Sequence, residues 1–305
     1  MRPVVALFGP TASGKTATAV ALAERAGGEV VAADAMGLYA GLPILTAQPT
    51  AAERARAPHR LVGVWPLDHE GAVGEYAVRA HEAIDELRAD DRLAILAGGS
   101  GLYLRAALVD LRLPPRVDPA TRAACERLYD DEGALAAHAE LVRVDPAAGQ
   151  AIHPNDRRRV VRGLELARSG SSLRPDVDRL WSEELRVPAQ VFALDWPADE
   201  LARRIEARTE AMLMDRALDE VRELLRSGTV PSSTARTIHG LAECIACVEG
   251  RLSLDECRAR IVLQTRRYSR RQRVWLRRIP NVHLLAGADG PERNAERILE
   301  TLTRP

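Results

Sequence analysis

The sequence has almost no lysine. Of its 43 lysine and arginine residues one is lysine, Lys15, and it lies in the run Gly9–Thr16, which reads GPTASGKT. This run fits the pattern G-x-x-x-x-G-K-[ST], whose backbone N–H groups cradle phosphates. A compact ammonium acts as a point charge on a phosphate, whereas the planar guanidinium of arginine needs room for its fork. The loop is therefore predicted to bind a diphosphate or a nucleotide, the alternative being a simple glycine-rich turn.

Other absences exclude several classes of protein. The net charge is zero, so a polyanionic partner has to be recognised by local clusters of charge. No apolar stretch approaches the roughly 20 residues that a membrane helix needs. Too few residues precede the phosphate loop for a signal peptide. We therefore expect a cytoplasmic protein without a membrane partner.

Cysteine is scarce, with four residues, but two of them are close together. Cys244 and Cys247 form C-x-x-C, and no second pair of ligands follows at zinc-finger spacing. The segment has a helical pattern. We expect buried small thiols here, and a zinc or redox role is the alternative.

Short apolar runs alternate with helical patterns in the first third of the chain and again towards its end. The runs predicted to be strands are Val4–Phe8, Glu29–Ala33, Leu93–Ala97, Val191–Leu194 and Val282–Leu285, with Leu61–Trp65 as a less distinct candidate. The phosphate loop follows the first run, and a helix is predicted over Lys15–Ala26. This alternation is typical of a parallel sheet covered on both faces. The expected fold is α/β, a P-loop NTPase-like parallel sheet flanked by helices.

The pattern changes between residues 113 and 185. Pro114, Pro115 and Pro119 mark the entry, helical patterns without strand signals follow, and the polar stretch Ser169–Asp178 precedes the return. We predict a helical insertion domain over residues 113–185. Residues 1–112 and 186–305 then form the catalytic core with its arginine-rich C-terminal helices.

Polar residues follow two of the predicted strands. Asp34 comes after the second run, and Ser100 lies in the turn Gly98–Gly101 after the run Leu93–Ala97. Ligands of open parallel sheets sit beyond the carboxyl ends of the strands. We therefore expect Asp34 and Ser100 to converge on the edge that carries Lys15.

Arginine is unevenly distributed. Between Cys257 and Ile279 there are nine arginines and no acidic residue, with Tyr268 and Trp275 among them. A second group, Arg157–Arg159 with Arg162, follows the segment His-Pro-Asn-Asp. Arginine contacts phosphates bidentately and stacks on bases. The two clusters and the phosphate loop predict one small and one polymeric anionic ligand, whereas the alternative is a solvated arginine-rich surface.

Taken in order along nearly the whole chain, the motifs resemble those of the tRNA dimethylallyltransferases (isopentenyl-diphosphate:tRNA transferases). The phosphate loop has this family's restricted form. The other similar segments are Asp34–Tyr39, Thr46–Pro49, Ala57–Leu61, Gly98–Tyr103, His153–Asp156 and Thr265–Arg277. Each segment alone is weak evidence, but their common order makes the resemblance specific.

The resemblance implies transfer of a dimethylallyl group from its diphosphate to N6 of the adenosine just 3′ of the anticodon, with Mg²⁺ as cofactor. The expected diphosphate-binding residues are Gly9, Pro10, Thr11, Ala12, Ser13, Gly14, Lys15 and Thr16, of which Thr16 is also the metal ligand. The expected catalytic residues are Asp34 as general base, Thr11 and Ser100 near the reacting groups, and Arg208 across the diphosphate. A Mg²⁺ ligand or a helix N-cap is the alternative role for Asp34.

On the acceptor side, the resemblance implies that the insertion and the arginine-rich helices hold a tRNA anticodon stem-loop whose target base is splayed out. The expected tRNA-binding residues are Asp34, Ala35, Met36, Gly37, Arg158, Arg159, Val160, Val161, Arg162, Arg236, Thr237, Ile238, His239, Gly240 and Leu241. The chain departs from the family's usual Ser, Gln, Lys and Tyr at Ala35, Gly37, Gln48 and Leu241. All four departures lie on the RNA side. The family also suggests a monomer.

Three other functions stay open at this point. A small-molecule kinase shares the phosphate loop. An adenylate dimethylallyltransferase acts on free AMP or ADP with the same donor, but it needs neither the insertion nor the arginines after Cys257. A non-catalytic tRNA-binding protein is the third, and the intact Lys15, Thr16 and Asp34 argue against it.

Overall fold

The computed structural model of the chain describes residues 2–111, 117–173 and 179–303. It divides into two compact units. The first unit consists of Met1–Asp110 with Leu180–Pro305, and the second consists of Leu111–Arg179.

The second unit ends earlier than the predicted insertion. Arg105 is fully buried and donates hydrogen bonds to the carbonyl oxygens of Leu180 (2.7 Å) and Ser182 (2.5 Å). These bonds hold the chain after Arg179 in the first unit, so the predicted return near residue 185 is too late. Pro114, Pro115 and residues 174–178 of the predicted polar stretch lie outside the described residues.

The elements of the described residues follow in chain order. The strands are β1 Val4–Phe8, β2 Gly28–Ala32, β3 His59–Arg60, β4 Leu93–Gly98, β5 Ala189–Asp195 and β6 Val282–Ala286. The helices are α1 Lys15–Ala26, α2 Ala51–Arg56, α3 Val73–Ala89, α4 Gly101–Leu108, α5 Pro119–Glu132, α6 Ala134–Val144, α7 Pro146–Ala151, α8 Arg157–Arg168, α9 Ala198–Met214, α10 Ala217–Ser227, α11 Leu241–Val248, α12 Leu254–Leu276 and α13 Gly290–Leu302.

Within the described residues, the first unit is built on a six-stranded sheet in the order β3-β2-β4-β1-β5-β6. Every pair of neighbours is parallel. The central strand β1 is apolar and completely buried, because helices cover both faces. On one face α1 and α13 share a core with the strands, which includes Val5, Leu7, Phe192 and Ile298. The predicted P-loop NTPase-like sheet is confirmed.

The strand predicted over Leu61–Trp65 is wrong. The strand in this region is β3, which pairs with β2 only through His59 and Arg60. Leu61 has φ 59° and Gly63 has φ 61°, so the backbone turns away from the sheet. The apolar character of the segment comes from Trp65, which is buried in irregular structure with its ring 5.6 Å from that of Tyr39.

Across residues 117–173, the regular elements of the second unit are all helices, α5 to α8. Each of α5, α7 and α8 begins at an aspartate whose carboxylate accepts a backbone N–H of the first turn, and these caps are Asp118, Asp145 and Asp156. Its core contains Cys125, Leu141, Val160, Val161 and Leu164. The unit therefore has a hydrophobic core of its own.

The C-x-x-C pair lies in α11. Cys244 is buried and Cys247 is partly exposed, and both thiols are reduced, as are Cys125 and Cys257. Burial raises the pKa of the Cys244 thiol and raises that of Cys257 to about 11. Within the described part of the chain, no group of three His, Cys, Asp or Glu side chains is arranged to hold a metal ion. Likewise, no described helix is both long enough and apolar enough to span a bilayer.

Candidate active site

The phosphate loop connects the carboxyl end of β1 to the first turn of α1. Its backbone is left-handed at Ala12 (φ 63°) and at Gly14 (φ 94°), the N-cap of α1. The free N–H groups and the positive end of the helix dipole there favour an anion. Within the loop, Gly9 and Pro10 are buried, and Ser13 is only 2% exposed. The sequence thus forms a phosphate-binding turn at the predicted edge of the sheet.

Lys15 is held within this loop. Its Nζ donates a hydrogen bond of 2.7 Å to the carbonyl oxygen of Pro10. Desolvation lowers the pKa of Lys15 to about 8; the carboxylate of Asp34 opposes this shift and the guanidinium of Arg208 adds to it. The ammonium is therefore poorly compensated in the free protein, and an anionic ligand supplies the missing charge.

Asp34 lies on a turn just beyond β2. Its Oδ1 accepts hydrogen bonds from the backbone N–H groups of Met36 (3.0 Å) and Gly37 (3.4 Å). Its Oδ2 accepts no hydrogen bond from the described residues. Residues 35–38 form a turn and not an α-helix, so an N-cap role does not apply. One oxygen fixes the orientation of the carboxylate, and the other is free to take a proton.

One cavity of about 180 Å³ brings together ten of the 25 predicted site residues, including three of the four predicted catalytic ones. Among the residues that line it are Thr11, Ala12, Lys15, Thr16, Asp34, Met36, Gly37, Gln48, Gly98, Arg208, Ile238, His239, Tyr268 and Gln272. A more open groove of about 870 Å³ shares Ala12, Lys15, Thr16 and Arg208 with it. Ser100 is not among the residues that line either space. It lies at the N-cap of α4 instead, so its predicted contact with the reacting groups has no support in this geometry.

Arg208, on α9, faces Lys15 across the cavity. Its side chain is accessible to solvent through the groove. Desolvation by the surrounding protein lowers the pKa of Arg208, whereas Asp34 and Glu53 raise it. Two cationic side chains, Lys15 and Arg208, therefore border the same cavity.

Sequence reasoning missed three residues that hold the phosphate loop from outside. The Nε of Arg204 donates to the carbonyl oxygen of Ala12 (2.8 Å), and its guanidinium lies 4.2 Å from the ring centroid of Trp196. Trp196 in turn donates from Nε1 to the carbonyl oxygen of Ser13 (2.9 Å). The third residue is Gln272 of α12, which accepts from the backbone N–H of Thr11 (2.8 Å). Only one local feature of the sequence could have pointed to any of these three residues: Trp196 directly follows β5.

The segment Arg236–Leu241 divides into three parts. Arg236 and Thr237 are exposed, whereas Ile238 and His239 line the cavity. Gly240 and Leu241 are buried, so the side chain of Leu241 is not available to an RNA ligand. Burial lowers the pKa of His239, and its ring lies 4.6 Å from that of Tyr268. His239 is thus a neutral group at neutral pH.

The outward side of α12 carries free arginines. The exposed ones are Arg258, Arg260, Arg267, Arg270 and Arg271, and Arg277 and Arg278 follow at its end. Arg258 pairs with Asp255 and Arg266 pairs with Glu206. No carboxylate among the described residues comes within ion-pair distance of Arg267, Arg270 or Arg271. Around Arg267, Arg270 and Arg271 this face is therefore a cationic surface that no described carboxylate neutralises.

The arginines of α8, in the second unit, are mostly paired. Arg157 bonds to both oxygens of Asp130, and Arg162 pairs with Glu165 at 2.9 Å. Arg159 lies 3.7 Å from Asp156, and Arg158 is exposed. The side chains of two further predicted tRNA-binding residues, Val160 and Val161, are buried in the core of the unit. Side-chain contact between these valines and RNA is therefore ruled out, and the prediction is restricted to the arginines.

Thr16 is the one predicted metal ligand. Its side chain lines the cavity, and its hydroxyl makes no hydrogen bond to the described residues. Mg²⁺ is commonly held by few protein ligands together with substrate phosphates and water. A free hydroxyl in the first turn of α1 beside a phosphate loop fits such a site.

A phosphate loop, two cations and an oriented carboxylate around one cavity define a class of protein: a P-loop enzyme that transfers a group from a phosphate or diphosphate donor. The sequence model described as IPP transferase matches residues 37–279. The chain belongs to this family.

Similar proteins and solved structures support the same family assignment. A protein of Anaeromyxobacter dehalogenans (strain 2CP-1) named tRNA dimethylallyltransferase is 43% identical over 97% of each chain. One of the same name from Streptomyces coelicolor is 40% identical over 99% of this chain and 96% of its own. The crystal structure of a tRNA isopentenylpyrophosphate transferase from Bacillus halodurans is similar with a TM-score of 0.71 and 30% identity, covering 99% of this chain and 97% of that chain.

Proposed function

We propose that the protein transfers a dimethylallyl group from dimethylallyl diphosphate to tRNA, at N6 of the adenosine just 3′ of the anticodon, and releases diphosphate. One observation carries this proposal: Lys15, Arg208 and Asp34 line a single cavity beside a phosphate loop, in a chain of the IPP transferase family. Its relatives are named for transfer of this group to tRNA.

The donor end of the cavity suits a leaving diphosphate. As the bond between the allylic carbon and oxygen breaks, its electron pair goes to the diphosphate. Loop N–H groups and Lys15 on one side and Arg208 on the other stabilise the charge that develops. Because Lys15 is already desolvated, its interaction with that charge is stronger than in water.

The acceptor end needs a base. The exocyclic N6 of adenine attacks the allylic carbon and loses a proton as the C–N bond forms. Asp34 takes this proton at Oδ2, since its Oδ1 is occupied by the N–H groups of Met36 and Gly37. Such a positioned base typically contributes 10²- to 10⁴-fold in rate.

Magnesium fits this site as a partner of the donor. Thr16 would hold it together with diphosphate oxygens, and the ion would neutralise part of the charge on the leaving group. The protein groups that act without it are Lys15, Arg208 and the loop N–H groups.

The acceptor surface includes the free arginines of α12. The exposure of Arg267, Arg270 and Arg271, and their lack of a carboxylate partner among the described residues, suit the phosphates of an anticodon stem-loop. Arg158 of the second unit offers a further cation of this kind. The cytoplasmic location and the monomeric state stay predictions.

Nucleoside analysis tests the proposal. The protein is incubated with unmodified tRNA, Mg²⁺ and dimethylallyl diphosphate, and the RNA is digested and analysed by mass spectrometry. We expect prenylated adenosine at the position 3′ of the anticodon. Parallel reactions with AMP as acceptor and with ATP as donor separate the alternatives. Prenylated AMP without modified tRNA, or ADP without prenyl transfer, would contradict the proposal.

A further inference from the structure

Gln272 lies in the lining of the cavity and is almost completely buried. The side chain is 3% exposed, although the helix that carries it, α12, is largely polar. Its Oε1 accepts from the N–H of Thr11 at 2.8 Å, and its Nε2 donates to the carbonyl oxygen of Gly99 at 2.7 Å. A single amide thus joins the loop after β1 to the turn after β4.

The amide of Gln272 fits closely between the phosphate loop and the turn at Gly99. A Cβ added at Gly99 would lie 2.2 Å from Nε2 of Gln272, so this turn accepts the amide only because residue 99 has no side chain. An amide presents one acceptor and one donor group at its tip. Because the Thr11 N–H is bound by Gln272, it is withdrawn from the N–H groups that point at the phosphate. The amide therefore fixes which part of the loop is open to the ligand.

Helix α12 contributes residues both to the cavity lining and to the exposed arginine surface. Ile261, Thr265, Tyr268 and Gln272 all line the cavity, and their spacing of three and four residues places them on one face of α12. Arg270 and Arg271 are exposed on the same helix.

We propose that Gln272 is a positioning residue for prenyl transfer: it ties the phosphate loop and the Gly99 turn to the RNA-binding helix, and so sets the geometry of the donor site. This inference rests on the proposed function. Gln272 acts through Thr11 and Gly99, the two residues that its amide holds.

The test uses the isosteric variant Gln272→Glu. An ionised carboxylate still accepts from Thr11, but it has no proton to donate and faces the oxygen of Gly99. We expect kcat/KM for dimethylallyl diphosphate to fall roughly 10- to 100-fold, the effect of one unsatisfied buried hydrogen bond. The affinity for tRNA should stay within about twofold, because the arginines are unchanged.

Gln264→Glu is the matched control. Gln264 lies on the same helix and donates to Glu243 of α11, away from the cavity lining. This variant also loses a donor and gains a charge, so it tests for general loosening of α12. We expect a lower melting temperature with donor kinetics close to wild type.

The pH profile separates positioning from a merely structural role. When the carboxylate introduced by Gln272→Glu is protonated, the variant regains a donor, so the ratio of wild-type to variant kcat/KM should shrink as the pH falls from about 7.5 to about 6. Other titratable or charged groups around the cavity are Lys15, Asp34, His59, Arg208, His239 and Tyr268. Tyr103 also interacts with Tyr268. All of them are present in both proteins, and below about pH 7.5 Lys15 stays largely charged in each, so the trend of the ratio in that range reports the introduced carboxylate.

The outcomes are distinct. If the wild type modifies tRNA and Gln272→Glu has unchanged donor kinetics, or loses only as much as Gln264→Glu, the inference is wrong. A ratio that does not change with pH also overturns it. If the wild type itself does not prenylate tRNA, the proposed function fails first.

Discussion

The two cationic regions of the first unit differ in how their side chains are held. At the phosphate loop, Lys15 and Arg204 donate to carbonyl oxygens of the loop itself. On α12, Arg267, Arg270 and Arg271 are exposed and have no carboxylate partner among the described residues. A small leaving group needs donors fixed in advance, because charge develops within a single step. An RNA backbone brings its own regular charges and needs only a cationic surface that is not already neutralised.

The largest expected effect separates chemistry from RNA binding. Asp34→Asn keeps an oxygen for the Met36 and Gly37 N–H groups but removes the base. We expect kcat for prenyl transfer to fall about 10²- to 10⁴-fold, with tRNA affinity almost unchanged. Single-turnover kinetics and filter binding measure the two quantities. Turnover within a few-fold of wild type would show that another group takes the proton.

The next effect concerns the donor region alone. Because the pKa of Lys15 is about 8 in the free protein, its ammonium is present below that pH and is lost above it. We expect kcat/KM for the donor to fall about tenfold per pH unit well above pH 8. Lys15→Ala should lower it by roughly 10²- to 10³-fold at neutral pH.

Lys15→Arg provides the control for this profile. A guanidinium stays charged throughout, so its activity should be low but independent of pH in the same range. A wild-type profile that stays level to pH 10 would mean that the charge of Lys15 does not contribute to donor binding.

The third prediction addresses the α12 surface. Replacing Arg270 and Arg271 together by alanine should weaken tRNA binding and reduce the slope of log affinity against log salt by roughly one per lost phosphate contact. The KM for dimethylallyl diphosphate should not change. Fluorescence titration at several salt concentrations measures the slope; an unaltered slope would assign these arginines to a solvated surface.

The smallest effect is expected where an arginine is already paired. Arg157 is bound to both oxygens of Asp130, whereas Arg158 is exposed and unpaired among the described residues. Arg157→Ala should change tRNA affinity by less than about twofold, and Arg158→Ala should weaken it more. The reverse order in a binding assay would contradict the contrast between paired and free arginines.

Local patterns predicted the sheet and the phosphate loop well. The run Val4–Phe8 is apolar because the strand is buried on both faces. All the residues that reveal this burial are adjacent in the sequence, so the strand can be recognised locally. The strand predicted over Leu61–Trp65 failed because burial of Trp65 in irregular structure produces the same pattern. A position just after a strand predicts where a residue lies, but it does not predict the direction of its side chain. For this reason Asp34 lies in the cavity lining and Ser100 does not.

Contacts over long sequence separations were not predictable. The bond from Thr11 to Gln272 spans 261 positions, and that from Arg204 to Ala12 spans 192. No spacing rule links such residues, since only the assembled sheet brings α9 and α12 to the phosphate loop. Val160 and Val161 are a related case. The resemblance placed them among the tRNA-binding residues, but the helical period directs their side chains into the core of the second unit.

The single lysine has a practical consequence. Besides its amino terminus, the chain offers acylating reagents one aliphatic amine, and that amine lies in the catalytic cavity. With a pKa of about 8, roughly a tenth of it is nucleophilic at pH 7, far more than for an ordinary lysine. A reporter group can therefore be attached at Lys15, with the amino terminus as the other reactive amine, and protection of Lys15 from labelling gives a direct measure of ligand occupancy.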